Sequence, residues 1–405
     1  MNTNAIPTVR SSLEARLLSS LLRSLGNPSV SMELHDGEVV STCEAKPLAN
    51  IKFGSSGGLW KFLLDPPMQF GELYSAGELQ VTGDLIGLLA EVFRVRKTNF
   101  AESTLVNAVA RLMDLTQTNT LSRSRKNIHH HYDLGNEFYR LWLDSSMSYT
   151  CAYFESPSST LEQAQLAKMR HVCRKLDLKS GESVVEAGCG WGSLALLMVK
   201  EYGVKVRAFN ISKEQLAYAR DAANRQGLSK QVEFVEDDYR NITGHYDAFV
   251  SVGMLEHVGF DNYSDLGRLV ARTVQPKGRG LIHTIGRNSP QRISRWILKR
   301  IFPGAEIPSL QQMMNIFEPF DLSVLDVENL RLHYALTLEH WLAAFERSSE
   351  LVLKQFDEYF RRMWRLYLAG SCAAFRAGEM QLFQVLFATA ANNELSLTRA
   401  RLYRT

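Results

Sequence analysis

From Ser180 onward the chain alternates short apolar runs with helical runs of ten or more residues, and this alternation constrains the fold more than any other feature. The spacing predicts strands over Ser183–Ala187, Val204–Ile211, Val232–Val235, Tyr246–Val252, Gly280–Ile285 and Leu322–Val327. It predicts helices over Ser193–Tyr202, Lys213–Gln226 and Asp261–Val274 between them. Strands joined through helices run parallel, and the helices cover both faces of the sheet, so an α/β fold with a mostly parallel sheet is expected. A last strand, Gln381–Ala388, follows a long helical stretch, Leu338–Ala369, and is expected to pair antiparallel at the far side. Ligands of such sheets bind outside the carboxyl ends of the strands.

The remaining length needs a second unit, because 405 residues correspond to two or three domains at about 150 residues each. Residues 1–95 combine a helix, Leu13–Leu25, with strand-like pieces punctuated by glycine, which reads as a small α+β domain without visible chemistry. Residues 96–126 read as a linker, with one helical run, Thr104–Leu115, followed by a Thr/Ser/Arg stretch. The α/β domain then occupies 127–405, with a helical insertion at 287–320.

Charge and cysteine usage exclude several classes. With 46 Lys+Arg against 43 Asp+Glu the formal charge is +3, too mild for a nucleic-acid binder. No apolar run approaches the roughly 20 residues that span a bilayer, and the start lacks the pattern of a signal peptide, so a cytoplasmic location is expected. Five cysteines at positions 43, 151, 173, 189 and 372 contain no CxxC, which predicts neither disulfides nor zinc. The run His129-His130-His131 lacks the i, i+4 spacing of helical ligands, so no metal is assigned. Between Arg287 and Arg300 stand five cations (Arg287, Arg292, Arg295, Lys299, Arg300), no acid, and interleaved Ile293, Trp296, Ile297 and Leu298. Such a segment fits either an anionic membrane surface or an ordinary solvated helix face.

The first strand of the α/β domain ends in Glu186-Ala-Gly188-Cys-Gly190-Trp-Gly192 and leads straight into a helix. Glycine at 188 and 190 permits a sharp turn and a close approach of ligand to backbone. The dinucleotide fingerprint would need glycine at 193, where Ser193 stands. The pattern instead resembles the loop with which S-adenosylmethionine (SAM) methyltransferases pass the methionine end of the cofactor. Two more polar loops, Asn210-Ile-Ser-Lys-Glu-Gln215 and Asp237-Asp-Tyr-Arg240, follow the next two strands. In methyltransferases of this topology they are the ribose-side and adenine-side loops. Each alone is more often a solvated turn; three at consecutive strand ends argue for one site.

Further motifs sharpen the resemblance. His130-His-Tyr-Asp-Leu-Gly-Asn136, Ser148-Tyr-Thr-Cys-Ala-Tyr-Phe154, Gly188-Cys-Gly-Trp-Gly192, Ser251-Val-Gly-Met-Leu-Glu-His-Val-Gly259 and Leu281-Ile-His-Thr-Ile-Gly286 together resemble the cyclopropane fatty acid synthase and mycolic acid cyclopropane synthase family. The likeness runs over about 121–390, and is weaker in the N-terminal unit, where GELYSAGELQVTGDL resembles the family's lipid-binding domain. It implies a class I SAM-methyltransferase (Rossmann-like) fold and transfer of the SAM methyl group to a cis double bond of a phospholipid acyl chain, followed by ring closure. The implied cofactor pocket is Tyr149, Thr150, Gly188, Cys189, Gly190, Asn210, Ile211, Gln215, Asp238, Tyr239 and Arg240. The implied catalytic set is Cys151, Glu256, His283, Ile285 through its backbone, and Tyr334, holding a bicarbonate ion that acts as base. The chain departs from the family's usual pattern at Asn210, Thr150 and Leu255. The resemblance further implies an unsaturated phospholipid substrate, peripheral contact with an anionic membrane at its cytoplasmic face, and no nucleic acid; a homodimer stays open.

An alkene is a weak nucleophile, and its methylation leaves a carbocation that water would capture, so such a site must be dry and hold a positioned base. The same cation can lose a different proton, so a methyl-branched or methylated unsaturated product is the nearest alternative. An N-methyltransferase of a small amine, or a lipid carrier that merely binds SAM, are more distant ones. The large apolar residues Trp341, Phe345, Phe356, Phe360, Met363 and Trp364 at helical spacing are expected either in an acyl-chain channel or in plain core.

Overall fold

The computed structural model describes residues 11–43, 45–99 and 134–403. Most of the expected linker, and His129–His131, lie outside the described residues. The chain divides into two compact units, residues 1–113 with 357–377, and residues 114–356 with 378–405.

In the first unit, strands β1 (Val30–Glu33), β2 (Val39–Ser41), β3 (Ala49–Phe53) and β4 (Leu79–Gly83) form a sheet in the order β2-β1-β3-β4. Helices Leu13–Ser24, Ser56–Leu64, Pro66–Ala76 and Leu85–Asn99 accompany it, as expected of a small α+β unit. Its last element corrects the sequence reading. Leu338–Ala369 is not one helical stretch of the α/β domain: helix Arg331–Arg347 ends at Ser348, and a new helix, Glu358–Arg376, belongs to the first unit. Asp357 starts it by accepting a hydrogen bond from Phe360 N at 2.8 Å, which satisfies a backbone donor the helix leaves unpaired. Arg362 then donates to Tyr74 O (2.6 Å) and Leu79 O (2.9 Å), fixing the helix to the turn before β4. Phe360, Met363 and Trp364 therefore lie in the first unit, apart from Trp341 and Phe345.

The second unit is built on strands β5 (Ser183–Ala187), β6 (Lys205–Asn210), β7 (Val232–Glu236), β8 (Tyr246–Val252), β9 (Val274–Gly286), β10 (Leu322–Asn329) and β11 (Gln381–Thr389). Their order is β10-β11-β9-β8-β5-β6-β7. Strands β5 to β9 pair in parallel, whereas β11 is antiparallel to both β9 and β10. The reversed strand thus lies inside the sheet, not at its far side, and β10 takes the edge. Both faces are covered. Val184, Val206, Val250 and Leu281 pack with Leu194, Leu197, Leu216 and Ala219 on one face. Val185, Phe209, Phe249 and Ile282 pack with Leu266, Val270, Ile316 and Phe317 on the other. Neighbouring strand residues are buried on opposite faces, which is why these strands read as continuous apolar runs; each such side chain contributes about 1.5–3 kcal/mol of burial. The carboxyl ends of β5, β6, β7 and β8 are adjacent, and the polar loops emerge there.

Candidate active site

The glycine loop is tied to its neighbouring strand. Gly188 N and Cys189 N both donate to Phe209 O near the end of β6, at 2.9 and 3.0 Å. Gly188, Gly190 and Gly192 have φ of +85°, +54° and +83°, a region that side chains with a Cβ rarely occupy. The glycines differ in purpose. A Cβ on Gly192 would stand 2.7 Å from Phe234 Cζ and 2.8 Å from Ala219 Cβ, so that glycine serves packing; a Cβ on Gly190 would meet nothing within 4 Å, so that edge faces open space. Asn210 closes the next loop by donating to Gly190 O (3.2 Å) and Gln215 Oε1 (2.8 Å) while accepting from Ile211 N (2.8 Å). Ser212 caps the following helix through Gln215 N at 3.4 Å. After β7, buried Asp238 accepts from Arg240 N (3.0 Å) and Nε (2.9 Å), and the guanidinium lies 5.4 Å from the Tyr239 ring centre. Tyr149 stands among Tyr139, Trp142 and Trp341, with ring centres 5.2–5.5 Å away. The expected cofactor residues therefore line consecutive strand ends and the aromatic wall beside them.

Of the second group, Glu256, His283 and Ile285 meet at the carboxyl end of β9. Glu256 follows β8 in a short 3-10 turn and its Oε1 accepts from Ile285 N at 2.6 Å. Its Oε2 is buried without a hydrogen-bond partner, and burial raises its pKa against the opposing pull of the Ile285 N–H. His283, two residues before Ile285, is paired in register with Gln384 of β11, and Gln384 Nε2 donates to His283 Nδ1 at 3.0 Å. The ring proton then sits on Nε2, which is also buried without a partner. Burial holds His283 far below its usual pKa, so it is neutral. Leu330 N donates to Leu382 O (2.8 Å), and Leu382 pairs with Ile285, so the helix carrying Tyr334 starts beside the same strand end. Cys151 arrives through its neighbour: Ala152 N donates to Thr337 Oγ1 at 3.0 Å, one turn beyond Tyr334. Its thiol is fully buried, and burial pushes its pKa up. It is no activated nucleophile.

The insertion after β9 corrects one expectation. Arg287 is buried and paired with Glu379 Oε1 at 3.1 Å, so it is not part of a basic surface. The segment's apolar residues turn inward: Ile293, Ile297 and Leu298 pack with Ile285, Phe302 and Ile307. Arg292, Arg295 and Lys299 are exposed on the other side. Glu306 N donates to Glu256 O at 2.8 Å, which ties the insertion to the site. Leu255, unusual for the family, is plain core.

Three residues, Gln165, Lys168 and Gln384, were not found from the sequence, and a fourth, Glu186, was read only as the residue that opens the glycine-loop motif. On helix Leu161–Leu176, buried Gln165 donates to Ser148 O (3.2 Å) and Thr150 O (2.9 Å), and buried Lys168 donates to Thr150 Oγ1 (2.9 Å). Glu186 at the end of β5 is buried with Oε2 unpartnered, and burial pushes its pKa up to about 8. Gln384 sets the tautomer of His283. The signal available was Gln165 and Lys168 interrupting the buried face formed by Leu161, Ala164, Met169 and Val172. Among the described residues no cluster of His, Cys, Asp or Glu could hold a metal ion.

A mostly parallel seven-stranded sheet with one reversed strand and a glycine turn after β5 defines a class I SAM-dependent methyltransferase. The family is equally plain: residues 119–385 match the family Mycolic acid cyclopropane synthetase, and the chain belongs to it. It is 36% identical over 355 residues to a probable fatty acid methyltransferase of Pseudomonas putida, covering 84% of this chain and 88% of that one. It is 39% identical over 270 residues to the cyclopropane-fatty-acyl-phospholipid synthase of Escherichia coli K12, covering 66% and 69%. The crystal structure of mycolic acid cyclopropane synthase CmaA1 complexed with SAH and CTAB superposes with a TM-score of 0.63 at 29% identity, covering 65% of this chain and 98% of that one.

Proposed function

We propose that the enzyme transfers the SAM methyl group to a cis double bond of a membrane phospholipid acyl chain and closes a cyclopropane ring, with bicarbonate as base. The observation that carries this reading is the pair of orphaned polar atoms at the end of β9. Glu256 Oε2 is an acceptor and His283 Nε2–H a donor, both buried and unpartnered, and buried polar atoms without partners call for an explanation. A small oxyanion that bears one proton complements both: it gives its proton to Oε2 and receives the imidazole N–H. Tyr334 and the Cys151 wall would complete its enclosure. Bicarbonate, when bound, would supply the proton acceptor that ring closure needs. The chain's own residues do the rest. Glu256 is held by Ile285 N, His283 stays neutral and donating, and the buried wall of Tyr139, Trp142 and Trp341 keeps water from a cationic acyl chain.

A second reading has its own support, since the Pseudomonas relative is named for fatty acid methylation rather than cyclopropanation: loss of a different proton gives a methyl-branched unsaturated chain, which a separate reductase would have to saturate to leave a plain methyl branch. For the substrate's approach we infer a peripheral encounter with anionic membrane through Arg292, Arg295 and Lys299; among the described residues no helix is long and apolar enough to cross a bilayer. Mass spectrometry of lipids from cells expressing the enzyme and fed deuterated methionine tests the whole. Cyclopropane acyl chains carrying the label in the ring methylene are expected. A labelled methyl branch would select the second reading, and unlabelled lipids would reject both.

A further inference from the structure

Lys168 is a buried lysine, 3% exposed, that neither the cofactor loops nor the base set accounts for. Burial of an ammonium is costly and persists only where its charge is used or compensated. Its hydrogen bond goes to Thr150 Oγ1, in the middle of Tyr149-Thr150-Cys151. One turn earlier, Gln165 takes the carbonyls of Ser148 and Thr150. The same helix face therefore grips the segment that carries two cofactor-side residues and the thiol wall. Thr150 in turn is packed against the end of β8: a Cβ on Gly253 would stand 2.9 Å from Thr150 Cγ2, and Gly253 N donates to His283 O at 2.9 Å. The segment is thus a bridge between the two halves of the site, with Lys168 beneath it.

The charged and titratable groups around this ammonium are few. Asp144, Cys151, Glu186, Cys173 and His283 lie within its electrostatic influence. Asp144 is occupied in its own turn, accepting from Ser146 N (2.9 Å) and Ser148 N (3.1 Å) as well as from the Ser146 hydroxyl. Both thiols are driven toward the neutral form by burial, and so is the imidazole. Glu186 is left. It stands directly before the glycine loop, buried, with Oε2 unpartnered. Cys173 and Cys189 also face it, both neutral, so Lys168 is the positive charge that opposes its protonation.

We propose that Lys168 is a positioning residue for SAM binding: through Thr150 it fixes Tyr149-Thr150-Cys151 against the end of β8, in the shape the cofactor pocket needs. The inference rests on SAM binding at this loop and not on the identity of the lipid product, so its test needs no lipid. SAM affinity is measured by calorimetry between pH 6 and 9.5 for wild type, Lys168→Met and Lys168→Arg. Lys168→Met is expected to bind about tenfold more weakly at pH 7. The pH below which affinity falls should rise by about one unit, because a carboxyl that loses its opposite charge titrates higher. Lys168→Arg should return the pH dependence to that of the wild type. A folded Lys168→Met with wild-type affinity and an unmoved pH dependence would overturn the proposal, and so would equal weakening in Met and Arg variants without a pH shift, the result of a merely structural role. Should Lys168→Met not fold, Lys168→Gln takes its place: the variant with this shorter neutral side chain should bind SAM more weakly than Lys168→Arg does, and equal affinities in the two would refute the grip. A wild type that binds SAM normally but methylates no lipid would reject the function proposed above and leave this inference standing.

Discussion

Glu256→Gln separates chemistry from binding and from folding. Glutamine keeps an oxygen for Ile285 N, the 2.6 Å bond that holds the side chain, but puts an NH2 where Oε2 now offers a buried acceptor. A donor then faces whatever proton the site must receive or share. Losing one hydrogen bond to a charged group costs about 1.5–3 kcal/mol, or roughly 10- to 150-fold, and a fully misplaced base costs about 10²–10⁴-fold in rate. Turnover, measured as radiolabelled methyl transfer from SAM into vesicles of cis-unsaturated phospholipid, should fall within that span. SAM affinity should change by less than about threefold, because the bonds that shape the cofactor loops, Phe209 O to Gly188 and Asn210 to Gly190, do not involve Glu256. Stability should not suffer either. The carboxyl's pKa is raised by burial, so in the wild type it destabilises the fold at pH values above its folded pKa, and that penalty disappears as pH falls below the unfolded value. Glutamine carries no such penalty and should be at least as stable at pH 8. A folded Glu256→Gln enzyme with wild-type turnover would remove the residue from the mechanism.

Gly190→Val puts a branched side chain at φ +54° on the open edge of the loop; SAM affinity should drop at least about tenfold in calorimetry, and an unchanged affinity in a folded variant would refute the loop assignment. Arg287→Gln strips Glu379 of its buried partner and should cost about 3–5 kcal/mol, seen as a lower unfolding midpoint in denaturant; an unshifted midpoint would return Arg287 to the surface. Combined Arg292→Gln, Arg295→Gln and Lys299→Gln should weaken flotation with anionic vesicles at low salt and leave binding to neutral ones alone, and equal flotation would make this an ordinary solvated face. Glu328 is brought down from 4.5 to about 2, against its burial, by His171 and Lys175, so its contribution is present above pH 4.5 and lost as pH falls toward 2. The stability gap between wild type and Glu328→Gln should therefore close over that window, and a gap constant with pH would show that the ion pairs do not set it.

Where the sequence was legible, local punctuation and burial agreed. Strands Ser183–Ala187 and Tyr246–Val252 and helix Ser193–Tyr202 end where expected because an apolar run buried on both faces meets a glycine or a polar turn. Strand β9 begins at Val274, six residues before the Gly280 expected, since Pro276-Lys277-Gly278 carries the composition of a turn while the chain continues extended through a register shift beside β8. The place of β11 could not be read: its apolar run suits an inner or an outer position, and its antiparallel pairing on both sides is decided by neighbours 95–109 residues back in β9 and 54–67 back in β10. Helix Glu358–Arg376 misled for the same reason, because its apolar stripe gives amphipathicity without naming the surface it covers.

The site divides along a similar line. Its cofactor loops are short contiguous segments whose backbone turns need glycine, asparagine or aspartate, so a pattern of residue types can carry them. The supports are not contiguous. Gln384 orients His283 from across β11, and Thr337 holds the Cys151 segment from a distant helix; each is a single polar residue in an apolar context, indistinguishable in sequence from a satisfied core residue. Lys168 and Gln165 were the exception, since two polar residues three apart on the buried face of one amphipathic helix break the stripe that burial would otherwise favour. An interruption of that kind is costly unless a partner waits on the neighbouring segment. Two such pairs occur on this helix: Gln165 and Lys168 reach the site segment, whereas His171 and Lys175 reach Glu328 on β10, so the interruption predicts a polar contact and not which segment supplies it.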